Sequence, residues 1–96
     1  MVQFNESRLA QLCAEHGVGR LRVFGSVARG DEGPDSDVDL IADFSRPTGY
    51  FGLMRFEWAL EDLFGRPVDL VTEAGLSPFM RDDILASARE IYSAEP

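Results

Sequence analysis

The sequence predicts an α/β fold of the α+β kind, in which helices pack over a small β-sheet. Three observations lead to this prediction. Short segments alternate apolar and polar residues at period two, longer segments repeat apolar residues at helical spacing, and glycine or proline separates them. Helices and strands follow one another in the order αβαβαβα, which predicts a single sheet covered by helices.

The first predicted element is an amino-terminal helix. Asn5 can cap it, and we expect it to run to about His16. Three residues at i, i+3 and i+4 form its buried face, namely Leu9, Leu12 and Cys13. Gly17 and Gly19 end the helix. The alternating segment 20–24 then predicts the first strand.

A turn and a loop separate the first strand from the second. Segment 25–30 predicts a tight turn that opens a short helix, and segment 31–36 has the composition of a loop throughout. Its acids, Asp31, Glu32 and Asp35, are expected to be solvated charges. Segment 37–42 is the second predicted strand.

The carboxyl-terminal half predicts two further helices around a third strand. A long helix is expected over residues 50–64, and helical spacing favours core positions for Phe51 and Trp58. Segment 68–71 is a short strand. Ser77 and Pro78 predict the start of a last helix. One side of that helix is formed by Met80, Ile84, Ala88 and Ile91.

Composition restricts the class of protein. Residues 1–96, 45% hydrophobic and 27% charged, are expected to form one soluble domain. No apolar run approaches the roughly 20 residues that span a bilayer, and the amino terminus has no signal-peptide pattern. We therefore expect a cytoplasmic protein without membrane contact. The single cysteine, Cys13, is expected to be a buried thiol in a reducing compartment.

Charge excludes several functions. Seventeen acidic residues oppose nine basic ones, for a formal net charge of −8. A field of this sign repels phosphate backbones, so direct binding of duplex nucleic acid is not expected. All the basic residues are arginine. The absence of lysine excludes a P-loop and Schiff-base chemistry, so a phosphate group has to meet arginine, backbone N–H groups or a metal ion.

Three carboxylates predict a metal site. Asp37 and Asp39 point to the same face of their strand, about 7 Å apart at Cα, and Asp69 repeats the pattern on the third strand. If the two strands are neighbours, the three acids converge, and their repulsion needs compensation. Mg²⁺ provides it beside phosphates. Taken alone, Asp37 and Asp39 would also fit the solvated face of an edge strand.

The Gly25–Ser26 turn predicts an anion site beside these acids. Glycine permits close approach of the backbone, and the helix start directs N–H groups outward. Ser26 adds a hydroxyl donor. Arg29 either reaches the same phosphates or pairs with Asp31 or Glu32 across the turn. At the mouth of the site, Asp35 or Ser36 is expected, with Ser36 as a further nucleotide contact.

Together these residues resemble the polymerase-β-like nucleotidyltransferases. Gly25–Ser26, ten intervening residues and then Asp37-Val38-Asp39 fit the signature G-S-x₁₀-D-x-D. The runs Phe-Gly-Ser-Val-Ala-Arg-Gly, Ser-Asp-Val-Asp-Leu and Val-Asp-Leu-Val resemble the smallest branch, the minimal nucleotidyltransferases (MNT proteins), across roughly residues 5–92. The resemblance implies a nucleotidyltransferase fold, a mixed sheet with helices on one side.

The resemblance also implies residue roles and a partner. It assigns Gly25 and Ser26 to the triphosphate of ATP, Asp37 and Asp39 to Mg²⁺, and Asp69 to the third acidic position. Two Mg²⁺ ions would clamp an in-line displacement, and Asp69 is a candidate base for the attacking hydroxyl. MNT proteins are commonly antitoxins that form a hetero-oligomer with a HEPN ribonuclease toxin. Some of them transfer AMP from ATP to a tyrosine of that toxin.

Two other functions compete with protein adenylylation. The chain would act as a pure binding module if it silenced its toxin by occlusion, although the acidic triad argues against that function. It would act on small molecules if the acceptor were a hydroxyl of the aminoglycoside type, which usually requires a further domain to hold the acceptor.

Overall fold

The computed structural model describes residues 4–31, 33 and 36–94, and these form one mixed four-stranded sheet and four α-helices. The loop residues Glu32 and Asp35, expected above to be solvated charges, lie outside the described residues. In chain order the elements are α1 (Glu6–Glu15), β1 (Val18–Phe24), α2 (Gly25–Arg29), β2 (Val38–Phe44), α3 (Tyr50–Phe64), β3 (Val68–Val71), a 3₁₀ turn (Glu73–Gly75), α4 (Arg81–Ser87) and β4 (Arg89–Ser93).

The sheet has the strand order β3-β2-β1-β4. β1 pairs antiparallel with both β2 and β4, whereas β2 and β3 run parallel. The parallel connection passes through α3, as a crossover between parallel strands requires. The mixed sheet expected from the resemblance is therefore confirmed.

Helices α1 and α3 cover one face of the sheet and pack against each other. Alternation along the strands sends every second side chain into this layer. His16 caps the carboxyl end of α1, and its ring packs against that of Phe56 in α3 at a tilt of 42°, with centroids 5.2 Å apart, which gives the only histidine of the sequence a packing role. The core they enclose includes the predicted α1 residues Leu9, Leu12 and Cys13, the strand residues Leu21, Val23, Val38 and Leu40, and Phe56 and Leu60 of α3.

The edge strand β3 is held by two carboxylates of α3. The Leu70 N–H donates to Glu57 Oε1 at 3.2 Å, and the Val68 N–H donates to Glu61 Oε2 at 3.1 Å. Both N–H groups point away from β2, where an edge strand would otherwise leave them unpaired. These two contacts fix the short strand that carries Asp69.

The predicted last helix is wrong at both ends. It was expected to start at Ser77 and Pro78, but residues 78–80 form a turn in which the Met80 N–H donates to the Ser77 carbonyl, and α4 begins at Arg81. Helix α4 ends at Ser87, Ala88 takes an extended conformation, and β4 follows and pairs with the outer edge of β1. Ile91 was expected on the same helical side as Ile84, but it lies in β4 and packs against the core. The unpaired edge of β1 is satisfied by a strand because each free N–H and C=O there gains a partner.

Two side chains expected in core positions, and one from the apolar side of the predicted last helix, are exposed. Phe51 is 77% exposed and Trp58 is 55% exposed on α3, while Met80, just before α4, is 57% exposed. The buried side of α3 is already filled by Phe56, Leu60 and Phe64, so Phe51 and Trp58 fall on its outer side. None of the helices in the described ranges is long and apolar enough to cross a membrane.

Cys13 is expected to be inert in the folded protein. Its side chain is fully buried, and burial raises the pKa of its thiol to about 12, so the nucleophilic thiolate is scarce at pH 8. An aromatic disulfide reagent at pH 8 should label the native protein at least about 100-fold more slowly than the urea-unfolded chain. Equal labelling rates would contradict this burial.

The contact between Glu57 and β3 should contribute measurably to the free energy of unfolding. Glu57→Ala leaves the Leu70 N–H without its partner and should lower the free energy of unfolding by about 1–2 kcal/mol in urea titrations. Alanine is an equally good helix former, so α3 propensity does not explain a loss. Asp62→Ala, an exposed acid of the same helix, should change stability by less than about 0.5 kcal/mol. Equal losses in both variants would refute the proposed support of β3.

Candidate active site

The turn between β1 and α2 brings backbone against a carboxylate. Phe24 is extended, Gly25 takes φ +69°, and α2 begins there without a side-chain cap, one residue earlier than expected. The N–H groups of this first turn therefore remain available to a ligand. A Cβ at position 25 would collide with Asp39 Oδ2. Gly25 is thus required both by its left-handed backbone and by the approach of Asp39.

The acids of β2 and β3 lie side by side. Asp39 and Asp69 are register partners in the parallel pairing of these strands, and Asp37 directly precedes β2. Asp39 is half-buried, whereas Asp37 and Asp69 are exposed. The second and third strands are neighbours, which was the condition for the acids to converge, and their pairing brings all three acids to one end of the sheet.

Asp39 experiences the crowding of charge most strongly. Burial raises the pKa of its carboxyl above the ordinary value, and the negative charges of Asp69 and Asp37 raise it further. Only Arg29 acts in the opposite direction. The folded structure therefore disfavours a negative charge on Asp39 unless a positive charge is brought close to it.

Asp43 lies on the same strand and the same face as Asp39, but its charge is compensated within the chain. Its Oδ2 accepts from Arg20 Nε at 2.8 Å and from Arg22 Nη2 at 3.2 Å. Across residues 4–31, 33 and 36–94, no ion pair engages Asp37, Asp39 or Asp69. One end of this sheet face is neutralised by arginines of the chain, and the other end is left for a cation from outside.

The uncompensated acids suit Mg²⁺ in one particular mode. In the described part of the chain, no three acidic, histidine or cysteine side chains stand close enough together to hold an ion by themselves. Mg²⁺, however, is usually bound by one or two carboxylates together with water and the phosphate oxygens of a substrate. The register pair Asp39–Asp69 can supply the carboxylates for that mode.

The two less specific predictions have different outcomes. Arg29 Nε donates to Asp31 Oδ2 at 3.3 Å, both side chains being well exposed, and Arg29 also lines the cavity beside Gly25. Ser36 Oγ accepts from the Gly33 N–H at 2.7 Å, and Ser36 is not among the residues that line this cavity. The structure therefore gives Ser36 a turn-stabilising contact. Asp35, its alternative at the mouth of the site, lies outside the described residues.

A cavity of about 450 Å³ opens between α2 and α4, which contact each other. Its floor and first wall are formed by β1, α2 and β2 through Phe24, Gly25, Ser26, Arg29 and Asp39. Its second wall comes from the α4 region through Met80, Asp83, Ile84 and Ser87. Sequence analysis missed this wall, because apolar spacing identifies a helix but does not indicate which other helix it packs against.

The chain is similar to known proteins over most of its length. Residues 7–91 match the nucleotidyltransferase domain family. The protein adenylyltransferase MntA of Thermococcus cleftensis is 36% identical over 75 residues, which are 78% of this chain and 76% of the relative. A chain of Methanocaldococcus jannaschii, assigned as a protein adenylyltransferase, is 31% identical over 84 residues, covering 88% of this chain and 90% of its own length.

Solved structures share the fold. One assigned as a minimal nucleotidyltransferase superposes with a TM-score of 0.74 at 46% identity, covering 88% of this chain and 85% of its own. A toxin–antitoxin complex with AMP-PNP gives 0.76 at 17% identity, with coverage of 95% and 75%. A complex of a tri-AMPylated HEPN toxin of Shewanella oneidensis with its MNT antitoxin gives 0.68 at 17% identity, with coverage of 98% and 74%.

The last two likenesses concern the fold alone, whereas the family match spans almost the whole described chain and the most similar of these structures shares nearly half of the aligned residues. The chain therefore belongs to the nucleotidyltransferase domain family, is similar to a minimal member of it, and is a nucleotidyltransferase.

Proposed function

We propose that this protein transfers AMP from ATP to a tyrosine hydroxyl of a partner protein, a HEPN ribonuclease toxin, and acts as the antitoxin of that partner. The observation that carries the chemistry is the register of Asp39 with Asp69 beside the Gly25 turn. Carboxylates without internal counter-charges and uncapped N–H groups meet at one place, where metal and phosphate would both be bound.

The acids would hold the metal. Asp37, Asp39 and Asp69 offer the oxygen ligands that Mg²⁺ prefers, and the raised pKa of Asp39 gives a bound cation a favourable electrostatic role. When bound, two Mg²⁺ ions would stabilise the charge that develops on the attacking and leaving oxygens of an in-line displacement.

The other residues bind and orient the nucleotide. The N–H groups at the start of α2 and the Ser26 hydroxyl donate to triphosphate oxygens, and the absence of a side chain on Gly25 lets the Asp39 carboxylate lie against the same turn. Arg29 lines the same cavity and would exchange its exposed contact with Asp31 for a phosphate oxygen. Surface pairs of this kind are weak, so the exchange costs little.

The transfer step forms one bond to the α-phosphorus, breaks another, and moves one proton. The tyrosine oxygen of the acceptor attacks the α-phosphorus of ATP, the bond from that phosphorus to the bridging oxygen breaks, and pyrophosphate leaves. The hydroxyl proton passes to a carboxylate, for which Asp69 is the candidate because it is exposed at the end of the sheet beside Asp39.

The relatives support a protein acceptor. MntA of Thermococcus cleftensis is named a protein adenylyltransferase, and one structural neighbour contains an AMPylated HEPN toxin bound to an MNT antitoxin. Another neighbour contains AMP-PNP, an analogue of ATP. The net charge of −8 also makes a nucleic-acid acceptor less favourable, because the two charges repel each other.

Removing the acids should abolish transfer. With α-labelled ATP, Mg²⁺ and the HEPN protein encoded beside it, the wild type should label its partner. The double variant Asp37→Ala/Asp39→Ala should label it at least about 10³-fold more slowly, because the charge of the transition state loses its compensation. Chelation of divalent metal should have the same effect, and added Mg²⁺ should restore labelling.

The matched control is Asp62→Ala, which removes an exposed acid from α3 on the other side of the sheet and should leave labelling unchanged. The enzymatic proposal is wrong if neither the wild type nor the double variant transfers label while both neutralise the toxin. That outcome would identify a protein that acts by occlusion.

The role of the Gly25 turn in AMP transfer can be tested separately from its contribution to stability. Gly25→Ala and Gly65→Ala both force alanine into a left-handed backbone, at φ +69° and +67°, and each should lower the free energy of unfolding by about 1–2 kcal/mol. Only the Cβ at position 25 meets Asp39, since nothing lies within 4 Å of a Cβ at position 65.

Transfer should therefore fall at least about 100-fold in Gly25→Ala, because both the phosphate approach and the position of Asp39 are disturbed. It should remain near the wild-type value in Gly65→Ala at a temperature where both variants are folded. Equal transfer rates in the two variants would show that the close approach at Gly25 is not needed for the reaction.

A further inference from the structure

The second wall of the active-site cavity has a chemistry unlike the first. The α2 side presents N–H groups, a hydroxyl and a guanidinium, all of which suit phosphate. The α4 side presents the apolar side chains of Met80 and Ile84 together with one carboxylate, that of Asp83. A cavity of about 450 Å³ lies within the range of nucleotide-sized ligand sites, so both walls can contact one ligand.

The donors of the two walls decide which part of a nucleotide meets each. Each wall carries a carboxylate, Asp39 on the first and Asp83 on the second, but only the first also offers N–H groups, a hydroxyl and a guanidinium, so the phosphates lie there and the uncharged nucleoside faces α4. Within the described residues no hydrogen bond or ion pair engages the Asp83 carboxylate. The Ser87 hydroxyl, by contrast, is occupied, since it donates to the backbone carbonyls of Asp83 and Ile84 at 3.1 and 3.2 Å.

We propose that the α4 wall is the base subsite for a purine that carries an amino group. Met80 and Ile84 contact the face of the ring, and the Asp83 carboxylate accepts a hydrogen bond from the amine on its edge. An apolar surface suits the ring faces, and an acceptor without a partner discriminates in favour of a donor. This inference rests on the proposed use of ATP, and it adds the residue that selects the base.

The test compares ATP with purine riboside triphosphate, which lacks the amine, by calorimetric titration in Mg²⁺. The wild type should bind ATP about 10-fold more tightly, the magnitude expected of a hydrogen bond to a charged group. In Asp83→Ala the two affinities should differ by less than about 2-fold, because neither ligand then has an acceptor to meet. Asp83→Asn, which keeps an acceptor oxygen, should retain part of the preference.

Asp82→Ala is the matched control. Asp82 is the exposed neighbouring acid in the same helical turn and does not line the cavity, so the variant should keep the full preference for ATP. The inference is overturned if the wild type binds both triphosphates equally, or if Asp82→Ala and Asp83→Ala lose the preference to the same extent.

The binding measurement needs no acceptor protein, so it is independent of the proposed toxin partner. If the preference for ATP depends on Asp83 but no label reaches a HEPN protein, the base subsite stands and the proposed acceptor is wrong. If label is transferred but the preference for ATP does not depend on Asp83, the proposed base subsite is wrong and the proposed reaction stands.

Discussion

The register between β2 and β3 places Asp39 directly beside Asp69, and the active site depends on that placement. Two like charges in neighbouring strands destabilise a sheet unless other contacts hold the strands together. Here the support comes from the far side of β3, where Glu57 and Glu61 accept the N–H groups of Leu70 and Val68. The buried residues Val38 and Leu40 of β2 are register partners of Val68 and Leu70, and all four belong to the same core cluster. The hydrogen bonds that stabilise β3 therefore lie at its outer edge, whereas the repulsion between Asp39 and Asp69 lies where β3 meets β2.

On β2, uncompensated negative charge is restricted to one end of the strand. Asp43 lies four residues beyond Asp39 and is neutralised by Arg20 and Arg22. Arg22 is only 12% exposed and also lies 4.0 Å from Glu73 in the 3₁₀ turn, so this network helps to hold the segment that leads to α4. Arginine is thus used for structure at one end of the face. At the other end no ion pair of the described residues engages Asp37, Asp39 or Asp69, and Arg29 only partly offsets the negative charges that raise the pKa of Asp39.

Much of the chemistry could be predicted from the sequence because it is encoded locally. Alternation along the second strand predicted that Asp37 and Asp39 share a face, and the glycine at position 25 predicted close approach of the backbone to an anion. The structure shows that the Asp39 side chain occupies the space that a Cβ at position 25 would fill. The errors lie where a decision depends on distant partners. Met80, Ile84, Ala88 and Ile91 fit a helix, yet the open edge of β1 recruits the last of them into β4. Phe51 and Trp58 fit helical spacing equally well on either side of α3.

The two walls of the cavity also differ in whether their position is encoded locally or depends on distant partners. The α2 wall follows directly from β1 through a single turn, so a short motif determines both its position and its chemistry. The α4 wall arrives from the other end of the chain and is placed by packing against α2 and by the pairing of β4 with β1. None of the three carboxylates and no part of the Gly25 turn lies on α4. Such a division allows the transfer chemistry to stay fixed while the preference for a nucleoside changes, since the residues that would set each property lie on different elements.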